Sequence, residues 1–66
     1  MTPEEVKQFE GCKVKAEKGD PKAQFYLGVC YLYGIGVAKD KVAVVEWYRK
    51  AADQGYVEAQ YSLGNV

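Results

Sequence analysis

The sequence has no histidine, only two cysteines (Cys12 and Cys30) and two prolines, and its nine basic and nine acidic residues cancel. Each shortage excludes something. Two thiols without a histidine fall short of a four-ligand zinc site and lack the base that a cysteine nucleophile needs. They read as packed thiols, with a disulfide as the alternative. No cluster of lysine and arginine could track a phosphate backbone or an anionic bilayer, so neither nucleic acid nor membrane is an expected partner. No apolar run approaches the ~20 residues that span a bilayer. The opening Met1-Thr2-Pro3-Glu4-Glu5 has neither the basic start nor the apolar stretch of a secretion signal, which points to the cytoplasm. At 66 residues the chain sits near the lower limit of unaided folding and is expected to lean on neighbours.

What is present is repetition. Ala16 to Gly28, read against Ala52 to Gly64, gives identities at Ala16/Ala52, Gly19/Gly55, Ala23/Ala59, Gln24/Gln60, Leu27/Leu63 and Gly28/Gly64, with Phe25/Tyr61 a conservative match. All share one offset of 36 residues without a gap. Units of this length that recur in register are stacked supersecondary modules.

The punctuation is helical. Thr2-Pro3-Glu4-Glu5 offers an N-cap, a proline at the first helical position and a capping-box glutamate. Asp20-Pro21 repeats the cap and proline after Gly19 has closed a helix, Asp40 caps another, and Gly55 ends it. These signals predict helices over 3–17, 21–32, 41–53 and 57–66, with no strand alternation anywhere. The second helix is apolar nearly all round (Ala23, Phe25, Tyr26, Leu27, Val29, Cys30, Tyr31, Leu32), as a helix sandwiched between neighbours is. Small Ala23 and Gly28 let another helix approach closely, and Leu27 and Tyr31 fill the gap. Val44, Trp47, Tyr48 and Ala51 form the facing stripe of the third helix, while Glu46, Arg49, Lys50 and Asp53 face water. The fold class is therefore all-α, with tight-turned helix pairs stacking as an α/α solenoid.

The residues Tyr31-x-x-Gly34-x-Gly36-Val37-x-x-Asp40, then Glu46-Trp47-Tyr48-Arg49-Lys50-Ala51-Ala52-Asp53-Gln54-Gly55, then Ala59-Gln60-x-x-Leu63-Gly64 resemble the Sel-one-like repeat (SLR), an α/α repeat related to tetratricopeptide repeats. The resemblance covers about 16–66 and implies a right-handed superhelix of antiparallel helix pairs that scaffolds protein complexes. It divides the chain into a partial repeat at 1–18, a complete repeat at 19–54 and the start of a third at 55–66. Two positions depart from the pattern: Val44 replaces a small residue, and Tyr56 stands where Asp20 caps the earlier unit, so the fourth helix should start less firmly. The cysteine-rich branch of the family bridges each helix pair at places that Cys12 and Cys30 do not occupy. Because the chain stops within its third unit, it is expected to be a fragment of a longer array or to self-associate through its open ends.

Enzymatic readings fare poorly. Gly34-Ile35-Gly36 follows a helix rather than a strand and lacks the third glycine of a dinucleotide loop; Gly34 is instead the left-handed helix stop, and Gly36 lets the chain turn beneath the next helix. Glu4, Glu5, Glu10, Glu17 and Asp20 show no convergence as an acid/base pair. Trp47 and Tyr48 read as core rather than as a stacking platform. Some cysteine-rich relatives are linked to β-lactam binding or hydrolysis, but the lone Ser62 has no Ser-x-x-Lys after it. No catalytic residue, cofactor or metal is expected. The first helix of each pair in tetratricopeptide-like solenoids lines a concave groove, and the resemblance places Lys22, Phe25, Tyr26, Val29, Leu32 and Tyr33 there, continued by Glu58, Tyr61, Ser62 and Asn65. Aromatic and aliphatic groups so gathered suit capture of a protein or peptide; a structural spacer with no groove is the alternative.

Overall fold

In the computed structural model, which describes residues 2–64, four helices follow one another: α1 (Pro3–Glu17), α2 (Pro21–Tyr33), α3 (Lys41–Asp53) and α4 (Val57–Gly64). The predicted starts are all met. Thr2 and Glu5 form the reciprocal capping box, with Glu5 N–H donating to Thr2 Oγ1 (3.2 Å) and Thr2 N–H to Glu5 Oε1 (3.1 Å). Asp20 accepts from the amides of Lys22 and Ala23, and Asp40 accepts from those of Val42 and Ala43. Tyr56 has no short carboxylate to offer, and at α4 its backbone carbonyl accepts from Ala59 and Gln60. α2 runs one residue further than expected, through Tyr33, before Gly34 takes the left-handed conformation (φ 71°) and stops it. Asn65 and Val66, included in the expected fourth helix, lie outside the described residues.

The 36-residue repeat reappears in the hydrogen bonds. At the end of α1, Gly19 is left-handed (φ 99°), its N–H donates to the Ala16 carbonyl, and Asp20 N–H reaches back to Lys15. At the end of α3, Gly55 (φ 84°) donates to Ala52, and Tyr56 reaches back to Ala51. Both turns thus satisfy the last carbonyls of their helix in the same way. Gln24 and Gln60 complete the correspondence. Each sends its amide nitrogen to a carbonyl of the preceding helix, Ala16 and Ala52 respectively, both at 3.1 Å. Gln24 is also 6% exposed and accepts from Gln54 Nε2 at 2.9 Å, so one buried amide links the end of α1 to the end of α3, its own partner lying 30 residues away.

Each helix packs against its neighbour in the chain, α1 on α2, α2 on α3 and α3 on α4. The molecule measures 31 × 23 × 15 Å, and the shortest dimension is only about one and a half helix diameters. Every helix therefore keeps a face toward solvent. Phe9, Ala16, Ala23, Leu27 and Cys30 form one buried cluster, joined by Cys12, Tyr31, Ile35, Val37 and Trp47. Tyr31 turns to α1, where it meets the Phe9 ring edge-to-face at 5.5 Å. Trp47 is partly buried, with the Lys50 ammonium 4.3 Å from its ring centre. Val44, Tyr48 and Ala51 bury against α2, so the bulk at Val44 is accommodated within the contact.

Two glycines set the close approaches. A Cβ on Gly28 would sit 2.5 Å from the Tyr48 ring, so α3 settles against bare α2 backbone at this point. Gly36 (φ 71°) lies against the Glu5 carbonyl and the Phe9 side chain. The α2–α3 loop therefore folds back over α1, rather than turning beneath the next helix as expected from sequence. Cys12 and Cys30 are both free thiols; Cys30 is buried and Cys12 half-buried.

Candidate functional site

The α2–α3 pair carries an open groove of about 540 Å³ lined by Phe25, Val29, Leu32, Tyr33, Lys41, Val44, Tyr48, Tyr61 and Ser62. Helix phase explains the set. Phe25, Val29 and Leu32 recur at i, i+4 and i+7 on α2, with Tyr33 one step further, and Lys41, Val44 and Tyr48 recur at i, i+3 and i+7 on α3. Tyr61 and Ser62 of α4 close the side. Phe25 stacks on Tyr48 with ring centres 5.1 Å apart and planes 17° from parallel. Tyr26 meets Phe25 edge-on at 5.7 Å and Tyr56 does so tilted at 5.4 Å. Phe25 is consequently part floor, part support, whereas Tyr33 (65% exposed) and Tyr61 (75% exposed) stand out into solvent.

The groove has two chemical ends. Phe25 over Tyr48 makes one end aromatic. Leu32 and Tyr33, at the C-terminal end of α2, lie toward the start of α3, where Lys41 stands. Burial, with a smaller contribution from the nearby Tyr33 phenol, pushes the Tyr48 phenol above its ordinary range. Tyr48 is thus neutral at physiological pH, and among the described residues Lys41 is the one charged side chain on the lining.

Ten residues were expected on one partner face, and the structure divides the nine that it describes. Phe25, Val29, Leu32, Tyr33 and Tyr61 share the groove. Lys22 and Tyr26 do not; they border a separate, smaller depression of about 270 Å³ with Cys12, Lys15, Asp20 and Ala23 between α1 and α2. The reason is angular: Lys22 and Tyr26 are themselves i, i+4 partners, on a stripe rotated one residue from Phe25 and Val29. Ser62 lies where expected, Glu58 is not on the lining, and Asn65 falls outside the described residues. The sequence reading missed Lys41, Val44 and Tyr48, the last two because they are buried enough to count as core. Their buried sides pack on α2 while an edge of each forms the groove floor.

Among the described residues no three His, Cys, Asp or Glu side chains gather as a metal set, and no helix is long and apolar enough to cross a membrane. Comparison with known proteins adds a family. The model of the Sel1 repeat matches residues 21–56, which is α2, its loop, α3 and the following turn. The chain belongs to the Sel1 repeat family. It is 30% identical over 64 residues, 96% of its length, to the ERAD-associated E3 ubiquitin-protein ligase component HRD3A of Arabidopsis thaliana. It is 40% identical over 48 residues, 73% of its length, to DAP3-binding cell death enhancer 1 of Rattus norvegicus. A third relative is the secretory immunoglobulin A-binding protein EsiB of Escherichia coli O6:H1, 47% identical over 43 residues, 65% of the chain. This Sel1-repeat chain spans only 9% of the length of each of these three. No solved structure matches it significantly.

Proposed function

We propose that this chain is a non-catalytic protein-interaction module of a scaffold or adaptor, and that its α2–α3 groove receives a segment of the partner. The observation that carries the reading is the groove itself, where aromatic and aliphatic side chains remain accessible on a rigid helix pair. Its volume falls within the ~300–1,000 Å³ typical of ligand clefts. Mostly apolar, with one cation, three phenols and the Ser62 hydroxyl but no paired general acid and base, it is suited to burying side chains and poorly supplied for chemistry on a bond. The names of the relatives agree in kind: one is a component of a ligase, and two are named for a protein they bind.

Panning displayed random peptides on the immobilised chain tests this. Selected peptides should bind at least ~10-fold more weakly to Leu32→Asp and Tyr33→Ala. Lys22→Ala, on the other depression, should bind them as the parent does. All three variants should keep the helical circular dichroism of the parent, because the three side chains are exposed. Absence of selected peptides, or loss of binding with Lys22→Ala alone, would remove the groove and leave a structural spacer.

A further inference from the structure

We infer that the groove's preferred occupant is an apolar protein segment bearing a carboxylate about 10 Å from its apolar anchor, the carboxylate meeting Lys41. This rests on the groove being the partner site and specifies what it selects. Among the described residues the lining holds Phe25, Val29, Leu32, Val44 and Tyr48 as apolar surface, Lys41 as its one cation, and no acidic side chain. Asp40, the carboxylate next to Lys41 in sequence, is engaged elsewhere: its Oδ1 accepts from the amides of Val42 (3.0 Å) and Ala43 (3.2 Å). Lys41 is exposed and borders the groove, so a ligand carboxylate can meet its ammonium there as a salt-sensitive surface pair.

The spacing follows from α3. Lys41 and Tyr48 lie seven residues apart on one stripe, or about 10 Å at 1.5 Å per residue. The aromatic end, where Phe25 stacks on Tyr48, takes the anchor, and the Lys41 end takes the charge. An extended ligand covers that distance in about three residues at ~3.3 Å each, and a helical ligand in about seven. The ligand thus carries a large apolar residue with Asp or Glu at one of those two separations.

The probes are fluorescein-labelled peptides from the panning above, each paired with an analogue carrying Asn for Asp or Gln for Glu, measured by anisotropy. Acidic peptides should bind about fivefold more tightly than their amide analogues at low salt, and high salt should erase the difference. Lys41→Gln should abolish the preference, and Lys41→Glu should transfer it to peptides with Lys or Arg at that position. Lys41 is exposed at the first position of α3, where a glutamate suits the helix start, so the charge reversal should not unfold the chain. Amide analogues that bind equally, or a Lys41→Glu protein that keeps the acidic preference, would overturn the inference while leaving the groove intact. Failure to select any peptide would overturn the groove and the inference together.

Discussion

Gly28→Ala should destabilise the chain, although alanine is the better helix former. Relief from glycine's backbone entropy is worth ~1 kcal/mol within a helix. Against it, the new Cβ would sit 2.5 Å from Cδ1 and Cε1 of Tyr48 and 3.4 Å from the Val44 carbonyl oxygen. Ordinary contact requires the ring to retreat by about 1 Å. Tyr48 is 3% exposed and stacked on Phe25, so the retreat displaces the whole aromatic end of the groove. Overpacking of this kind costs ~1–3 kcal/mol, leaving a net loss of about 1 kcal/mol. A domain of this size holds only ~3–10 kcal/mol in total, and each kcal/mol moves the thermal midpoint by ~4–8 °C. Urea and thermal melts followed by circular dichroism read this directly. Gly11→Ala is the internal control, because nothing lies within 4 Å of its added methyl, and it should stabilise by ~0.5–1 kcal/mol. In a Tyr48→Leu background the penalty at Gly28 should shrink, a coupling that a double-mutant cycle measures. If Gly28→Ala melts at or above the parent's midpoint, the close approach of α3 is not what glycine provides there.

Gln24→Ala should cost ~1–2 kcal/mol, because it removes a buried side chain and its two hydrogen bonds, although the Ala16 carbonyl keeps the Gly19 N–H and the exposed Gln54 amide can turn to water. The exposed counterpart Gln60→Ala should cost less than ~0.5 kcal/mol; equal losses in denaturant melts would show that the buried amide bridge adds nothing. Burial, then the neighbouring Cys12, raises the Cys30 thiol above its ordinary 9.0. A raised acid favours the protonated fold, so this contribution is complete below about pH 9 and fades as pH climbs through the folded-state value. Stability measured from pH 8 upward should fall less steeply in Cys30→Ala than in the parent, and a native-state thiol reagent should modify Cys12 well before Cys30.

Local signals carried most of the helix plan because caps act within four residues. Thr2, Asp20 and Asp40 each satisfy amides two or three positions ahead, so their roles need no tertiary knowledge. Gln24 shows the opposite case. The repeat marked it as matching Gln60, but its purpose depends on meeting Gln54, 30 residues further on, which no local pattern encodes. Gly36 likewise signalled a bend without revealing that α1 would fill the space beside it. The candidate groove was legible in composition and blurred in phase. Treating α2 as apolar all round merged two stripes that the 100° step of the helix separates, joining Lys22 and Tyr26 to Phe25 and Val29. Lys41 was overlooked because its place on the lining depends on how α3 packs against α2, which the sequence alone does not show.

The matching turns at Gly19 and Gly55 have a consequence for how such a chain can change. Both place a left-handed glycine after a helix, return two amides to its last carbonyls, and meet a glutamine that clips the same end. A stretch of coding sequence excised or inserted between these points encounters a junction of the same backbone geometry on either side, differing in the cap that Asp20 has and Tyr56 lacks. Length can therefore change in steps of one unit without creating a seam that needs repair by further substitution. Under the proposed function, recombination at these glycines would alter the breadth of the binding surface, while substitution at positions such as Leu32, Tyr33 and Lys41 would alter its taste, and the two could vary independently.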